Sequence, residues 1–446
     1  MLSGIRIEHL IIACLVYVLL RMVWKQQRRR LKKLWKKVKK GPPRRWQPKS
    51  PKDCPACQAG VSLSLPRIRR EVKPWSQIKS RRGRKKTIKT QGFACPNVDC
   101  AYFGIRDVTL HALVGNGKRG KNKHIQTLRC QACKCSFSSR RNTPLYYLKT
   151  APDRVEMCLW LLAEGVDISV LVRFTGHVDA TVTRWLLRAG RHGERLHEVL
   201  FVDLQLAYIQ VDEMKAPIAG NKRTNWLWLG IDPLTKIVPA LHIGSRKTED
   251  AMQFVHQLAL HLAEGCVPAF TSDGLRQYFY ALTAHFGYWK YPDKQWKWLV
   301  SDVLLYGQLI KRRNKSKSDK RPFTITRMMW GKRRHLFGLL VELGFRATIQ
   351  TAFIERLNLT IRQGVAALSR RTWSLAKSNE YLLLHVHWWR TYYHFSRAHE
   401  TLRLRVPGLR RRYRQRTPAM AAGLAHQIWS VGDILHLPLV PQGGTC

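Results

Sequence analysis

Seventy-nine Lys and Arg stand against 28 Asp and Glu in this 446-residue chain, a net charge of +51 that limits what it can fold into more than any other feature. An excess of that size makes a compact state repel itself unless a polyanion neutralises it. Nucleic acid is the first candidate for that role and an anionic membrane surface the second. A small ribosome-like structural protein would carry such charge on a much shorter chain. Hydrophobic residues make up 45% of the sequence and Trp occurs 16 times, which supports a sizeable core and excludes wholesale disorder. A chain this long is expected to hold roughly two to four modules.

Seven of the 11 cysteines (Cys54, Cys57, Cys95, Cys100, Cys130, Cys133, Cys135) fall between positions 54 and 135. No small-residue cleavage site follows the apolar N-terminal run, so a reduced compartment and metal thiolates are expected rather than disulfides. The run itself, Leu10 to Leu20, is bounded by Glu8-His9 and Arg21 and followed by basic residues from Lys25 to Lys40. Extended to Trp24 it falls short of the ~20 residues that span a bilayer, but it has the flanks of a positive-inside anchor. An N-terminal membrane contact and an amphipathic arm both remain open on this reading.

Short cysteine spacings let one tight turn supply two metal ligands. Cys95-x4-Cys100 and Cys130-x2-Cys133 are two such knuckles separated by 29 residues, as a Zn²⁺ ribbon requires. The Asn116-Gly117 pair between them predicts a turn, and Gln126–Cys130 a strand. Cys135 is a spare thiol or an alternate ligand; Cys54 and Cys57 have no identified partners. Buried cysteines without metal are the plain alternative. Downstream, Ile168–Gly176 and His177–Leu187 read as a short apolar-faced helix, a glycine turn and a second helix. This is helix–turn–helix logic, which aims Thr181, Thr183 and Arg184 at DNA. An ordinary antiparallel helix pair has the same pattern.

From Leu206 the pattern becomes α/β. LAYIQVD, NWLWLGID and IVPALHIG are strand-like, Thr248–Glu264 is helical, and Pro268–Asp273 is a further short strand. Three strands, a helix and a strand predict a meander followed by a crossover. Residues 288–335 carry 14 Lys or Arg and 3 acids and read as a basic insertion; a long helix is expected over 346–402. The expected division is 1–52 (hydrophobic segment and basic tail), 53–90 (basic linker with C-x-x-C), 91–141 (zinc ribbon), 150–195 (helix–turn–helix), 204–405 (α/β core with the basic insertion 288–335) and 406–446 (C-terminal tail).

In a chain so poor in acids, their placement is informative. Asp212 and Asp273 end predicted strands, and Glu355 lies inside a helical pattern. Two strand-end aspartates and one helix glutamate can converge on two hard cations, Mg²⁺ or Mn²⁺. Spacing alone leaves each as easily a cap or turn residue, with Glu213, Asp232 and Asp250 as rivals. Asn358 and Arg362, at i+3 and i+7 from Glu355, share its helical face and are assigned to DNA contact.

The succession VDE (211–213), SDG (272–274) and IERLNLTIR (354–362) resembles the DDE transposases of bacterial insertion sequences. The insertion-sequence-one-like group is the nearest, because there a cysteine finger and a helix–turn–helix precede the core. Tyr393–Leu402 is similar to the Y-x-F-x-R-x-H-x-x-L stretch of such cores, which adds Arg397 to the DNA-contacting set. The resemblance covers about 91–435. It implies an RNase-H-like (retroviral integrase-like) core with Asp212, Asp273 and Glu355 as catalytic metal ligands. It also implies cleavage and transfer of DNA strands at the element's terminal inverted repeats, a target DNA, a homo-oligomeric synaptic complex and a place at the nucleoid of the bacterial cytoplasm. The alternative is a zinc-dependent, sequence-specific DNA-binding regulator descended from an inactive transposase.

Overall fold

The computed structural model describes residues 72–78, 88–120, 125–220, 224–290, 297–313, 322–406 and 413–439. The apolar run at 10–20 and the Cys54/Cys57 pair lie outside these residues. Among the described residues no helix is long and apolar enough to cross a membrane. The fold is α/β, and the chain separates into two units. One comprises 1–63 with 288–299; of it only the ends of a hairpin, β8 (Gly287–Lys290) paired with β9 (Lys297–Val300), are described, with Trp289 edge-on to Trp298. The other holds everything else.

In the larger unit a one-turn helix at Trp75–Ile78 is followed by a three-stranded antiparallel sheet, β1 (Leu113–Arg119), β2 (Ile125–Cys130) and β3 (Ser136–Ser138). The Asn116-Gly117 pair does not make the turn expected of it. It forms an irregularity inside β1, where the register slips between Gly115 and Lys118. The positive φ of Gly117 (81°) takes up the extra residue, as bulges often require.

Helices α1 (Pro152–Ala163), α2 (Ile168–Thr175) and α3 (Asp179–Leu200) follow. Pro152 opens α1, and the Asp167 carboxylate accepts the Ser169 N–H at the start of α2. Gly176 closes α2 in the left-handed region (φ 71°). These helices are not a free-standing module. Leu159, Leu162, Val182, Trp185 and Leu196 join one buried cluster with residues of the main sheet. A side chain at Gly190 or Gly193 would strike the Leu384 carbonyl or the Thr391 hydroxyl, each at 2.2 Å. Only glycine lets α3 lie that close to α8 (Asn379–Phe395).

The main sheet has six strands: β4 (Tyr208–Lys215), β5 (Trp226–Ile231), β6 (Leu241–Gly244), β7 (Ala269–Ser272), β10 (Tyr306–Arg313) and β11 (Pro322–Trp330). They lie in the order β11-β10-β7-β4-β5-β6. The β4-β5-β6 meander is antiparallel, β7 and β10 run parallel to β4, and β11 is antiparallel to β10. The crossover from β6 to β7 is α4 (Thr248–His261), and α5 (Arg276–His285) follows β7. Period-two alternation divides the faces. Ile209, Val211 and Trp228 pack in the cluster with Phe254 and Tyr278 of α4 and α5, whereas Leu227 and Leu229 pack with Ile354 and Leu357 of α7 (Ala352–Gly364).

Three expected boundaries move. The stretch 288–335 is not simply an insertion, because it supplies β10 and β11, and β10 pairs with β7 from Tyr306 to Gln308. The long helix over 346–402 is two helices, α7 and α8, preceded by α6 (Arg333–Glu342). The chain turns at 365–378, where Ser378 caps α8 by accepting the Tyr381 N–H. The segment read as a tail ends in α9 (Pro418–Ala421) and α10 (Val431–His436), and Ile434 and Leu435 are fully buried.

Candidate functional site

Two clusters of metal-ligating side chains stand out among the described residues: Cys95, Cys100, Cys130 and Cys133, and Asp212, Glu213 and Asp273. In each, the ligand atoms lie within 4.8 Å of one another.

Cys95 and Cys100 come from the loop before β1, Cys130 ends β2, and Cys133 sits in the turn to β3. Cys133, rather than Cys135, completes the set. The Sγ–Sγ distances are 3.6 Å for Cys95–Cys133 and 3.8 Å for Cys100–Cys130. Zinc–sulfur bonds of about 2.3 Å place tetrahedral sulfurs roughly 3.8 Å apart, so the sulfurs fit Zn²⁺. The Tyr102 N–H donates to Cys100 Sγ at 3.4 Å. The hydrogen bond with Cys95, helped by backbone N–H groups of Cys133 and Ala132, brings the Cys130 thiol down to about 5. Burial pushes Cys100 up to about 11, and the Cys130 contact raises Cys95 further. One thiolate is thus favoured, and its charge opposes ionisation of the others until a cation arrives.

The carboxylates straddle the sheet. Asp212 leaves β4 on the face covered by α7, and the next residue, Glu213, turns to the face of α5. Asp273 follows β7, the strand beside β4. Its Oδ1 accepts the Leu275 N–H at the start of α5, so it serves as a turn residue there while its carboxylate also lines the site's cavity. Glu355 lies in the first turn of α7. A cavity of about 670 Å³ is lined by Asp212, Asp273 and Glu355 together with Arg246, Lys311 and Thr351 among others.

Glu355 shares this cavity, yet it does not belong to the tight group of three carboxylates. Its Oε1 accepts from Lys311 Nζ at 2.5 Å and from Thr351 Oγ1 at 2.7 Å. Those bonds, against some burial, hold Glu355 below its ordinary value. Asp212 behaves in the opposite way. Burial first, then the charge of Asp273, pushes it up to about 7, with Glu355 adding to the rise. Glu213 is likewise raised to about 7, by burial and then by Asp273 and Asp212. Like charges crowded in a poorly solvated place favour a bound cation, and hard oxygens suit Mg²⁺ or Mn²⁺.

Asn358 corrects the sequence reading. It is buried, 5% exposed, and its Nδ2 donates to Asp212 Oδ2 at 2.7 Å. Its place on the Glu355 face puts its amide against a carboxylate, and so buried a side chain offers little surface to a DNA phosphate. Arg362, two turns from Glu355, is half-buried and feels both Arg370 and Asp212. Thr181 and Thr183 are half-buried in the first turns of α3, with Thr183 Oγ1 3.4 Å from Asp179, while Arg184 is exposed. Arg397 follows α8 and is half-buried. Of the rival acids, Asp232 caps its own turn and Asp250 binds His242 and Ser245, so neither faces the cavity.

Sequence reasoning missed Arg246 and Lys311. Lys311 was hidden in the supposed insertion; Arg246 was one base among 79. Position after a strand end was the available signal for Arg246, since the loop beyond β6 opens at the same edge of the sheet as Asp212 and Asp273. No protein-family model matches the chain, and no curated protein matches it significantly.

Proposed function

We propose that this chain is a DNA transposase of the DDE type, a metal-dependent polynucleotidyl transferase with an RNase-H-like core. The observation that carries the reading is the single cavity lined by Asp212, Asp273 and Glu355, which arrive from β4, the end of β7 and α7. The order β6-β5-β4-β7-β10, an antiparallel meander extended by two parallel strands, supports the fold assignment. Asp212, Asp273 and Glu355 would hold two Mg²⁺ or Mn²⁺ ions, which supply Lewis-acid activation of the attacking and leaving oxygens in an in-line displacement. Asn358 orients Asp212 through its amide, and Lys311 would share Glu355 with the ions. The four cysteines hold Zn²⁺ as a ribbon, and α2 with α3 forms a helix–turn–helix that docks DNA through Thr181, Thr183 and Arg184. The net charge of +51 supplies the sequence-independent attraction to phosphate.

The test uses the purified chain with Mg²⁺ or Mn²⁺ and a duplex carrying the inverted repeats that flank the gene. Asp212→Ala, Asp273→Ala and Glu355→Ala each abolish cutting and joining while DNA binding persists. If all three variants still cut and join, the assignment is wrong. Footprinting without strand transfer by the unaltered chain favours a zinc-dependent DNA-binding regulator, the reading that the Lys311–Glu355 pair suits best.

A further inference from the structure

Arg246 lies in the loop between β6 and α4 and is held more firmly than a surface arginine needs to be. Its Nε donates to Glu213 Oε1 at 2.8 Å and its Nη2 reaches the same oxygen at 2.5 Å. Its guanidinium carbon lies 4.6 Å from the ring centre of Trp226. Gln277 Nε2 donates to its backbone carbonyl at 3.4 Å. The clamp is one-sided: the Glu213 side chain is 1% exposed and that of Arg246 43%. Among the described residues Arg246 is the one base that pairs with this buried carboxylate, whose other neighbour is the Tyr278 hydroxyl. Two of the five guanidinium N–H groups are engaged with it, which leaves three. Asp273 Oδ2 is 4.0 Å from Nη2, and Arg246 lines the same cavity as the three carboxylates. Fixing one base among 79 with one of only 28 acids places a cation at a defined point. A planar, pre-oriented fork of that kind suits a phosphodiester oxygen better than a free lysine would.

We propose that Arg246 contacts a non-bridging oxygen of the DNA phosphate that reacts in this cavity, with Glu213 as its positioning residue rather than a metal ligand. The inference rests on the reading of the cavity as a phosphodiester site. Arg246 neutralises charge that grows on the phosphate as the new oxygen bond forms, and a preset donor does so without reorganisation.

The experiment compares Arg246→Gln, Glu213→Gln, the double variant and Asp212→Ala on the inverted-repeat duplex. A matched duplex carries a neutral methylphosphonate at the cleavage position. Arg246→Gln is expected to slow cutting at saturating DNA by about 100-fold, and to make the slope of log affinity against log salt shallower by about 0.9. On the methylphosphonate duplex Arg246→Gln and the unaltered chain bind alike. Glu213→Gln keeps an oxygen for Arg246 and retains most of the activity. The double variant removes both buried charges, which guards against misfolding, and stays as slow as Arg246→Gln. Recovery of activity in the double variant would show that Arg246 merely balances Glu213 and overturns the inference. So does an Arg246→Gln rate within about threefold of the unaltered chain. Equal activity in Asp212→Ala and the unaltered chain, or none in either, instead overturns the reading of the cavity, and the inference falls with it.

Discussion

The sulfur cluster and the carboxylate cavity each gather side chains that could hold a cation, and they are assembled in opposite ways. The four sulfurs come from one 39-residue stretch (95 to 133), they close on one another at 3.6 and 3.8 Å, and three of the four cysteines are buried. The carboxylates come from positions 212 to 355 and line an open cavity of about 670 Å³. They are also accompanied by competing cations: Lys311 sits on Glu355 and Arg246 on Glu213. A closed set of soft ligands is what a structural metal needs; an open set of hard ligands leaves room for a substrate. On the proposed reading, burial and ligand count, not the presence of charge, separate a staple from a working site.

The comparison breaks most visibly if the four cysteines are kept from metal. Structural zinc contributes about 10–16 kcal/mol to small modules of this kind, so Cys130→Ser or a strong chelator should empty the ribbon and melt β1–β3. Metal analysis and amide exchange would report it, and the α/β sheet should survive. A ribbon that stays folded without metal would make the sulfur cluster an ordinary core.

Removing charge from the cavity should do the reverse: activity falls and the fold gains. Asp212→Asn is expected to lower strand cleavage by at least about a thousandfold, roughly 4 kcal/mol of barrier. Next in size is Asn358→Ala, which frees Asp212 from its only side-chain donor among the described contacts. Loss of such an orienting partner costs about 10- to 100-fold in metal affinity, readable by Mn²⁺ titration. Unchanged affinity would return Asn358 to a packing role.

A pH series sharpens the contrast without any assay of cutting. Asp212 has an ordinary value of 3.8 and stands at about 7 in the folded chain. Between those values the unfolded chain has lost the proton that the folded chain keeps. Its contribution is therefore fully present below 3.8 and is lost as pH rises through 7. Asp212→Asn lacks that loss, so with no added divalent cation its stability advantage should be nil at the acid end and grow towards pH 7. A constant advantage in urea melts would show that Asp212 is not perturbed. The smallest effect belongs to Lys311→Ala. Exposed pairs are worth about 0–1 kcal/mol, so freeing Glu355 should tighten Mn²⁺ binding by no more than about fivefold.

Much of the fold was legible because its signals are local. The strands at 208–215, 226–231 and 269–272 and the helix at 248–261 follow from short-range hydrophobic pattern. The strand β10 was missed because Lys and Arg dominate its sequence after Ile310, and such a basic segment looks like a solvated loop until β7 and β11 pair with it. The helix over 346–402 was read as continuous because the break at 365–378 holds no proline; it ends on packing of Val365, Ala367 and Leu368.

The sequence by itself determined which residues are candidate ligands. Cys95, Cys100, Cys130 and Cys133 are set by spacing within turns, and Asp212, Asp273 and Glu355 by their places at strand ends and in a helix. Only the tertiary structure decided what each partner does. Asn358 meets Asp212 across 146 residues, Lys311 meets Glu355 across 44, and Arg246 meets Glu213 across 33. Periodicity reports which face a residue lies on, but not what is packed against that face. The partner is fixed by strand order and by which helix covers which side of the sheet, a property of the whole chain rather than of any short stretch.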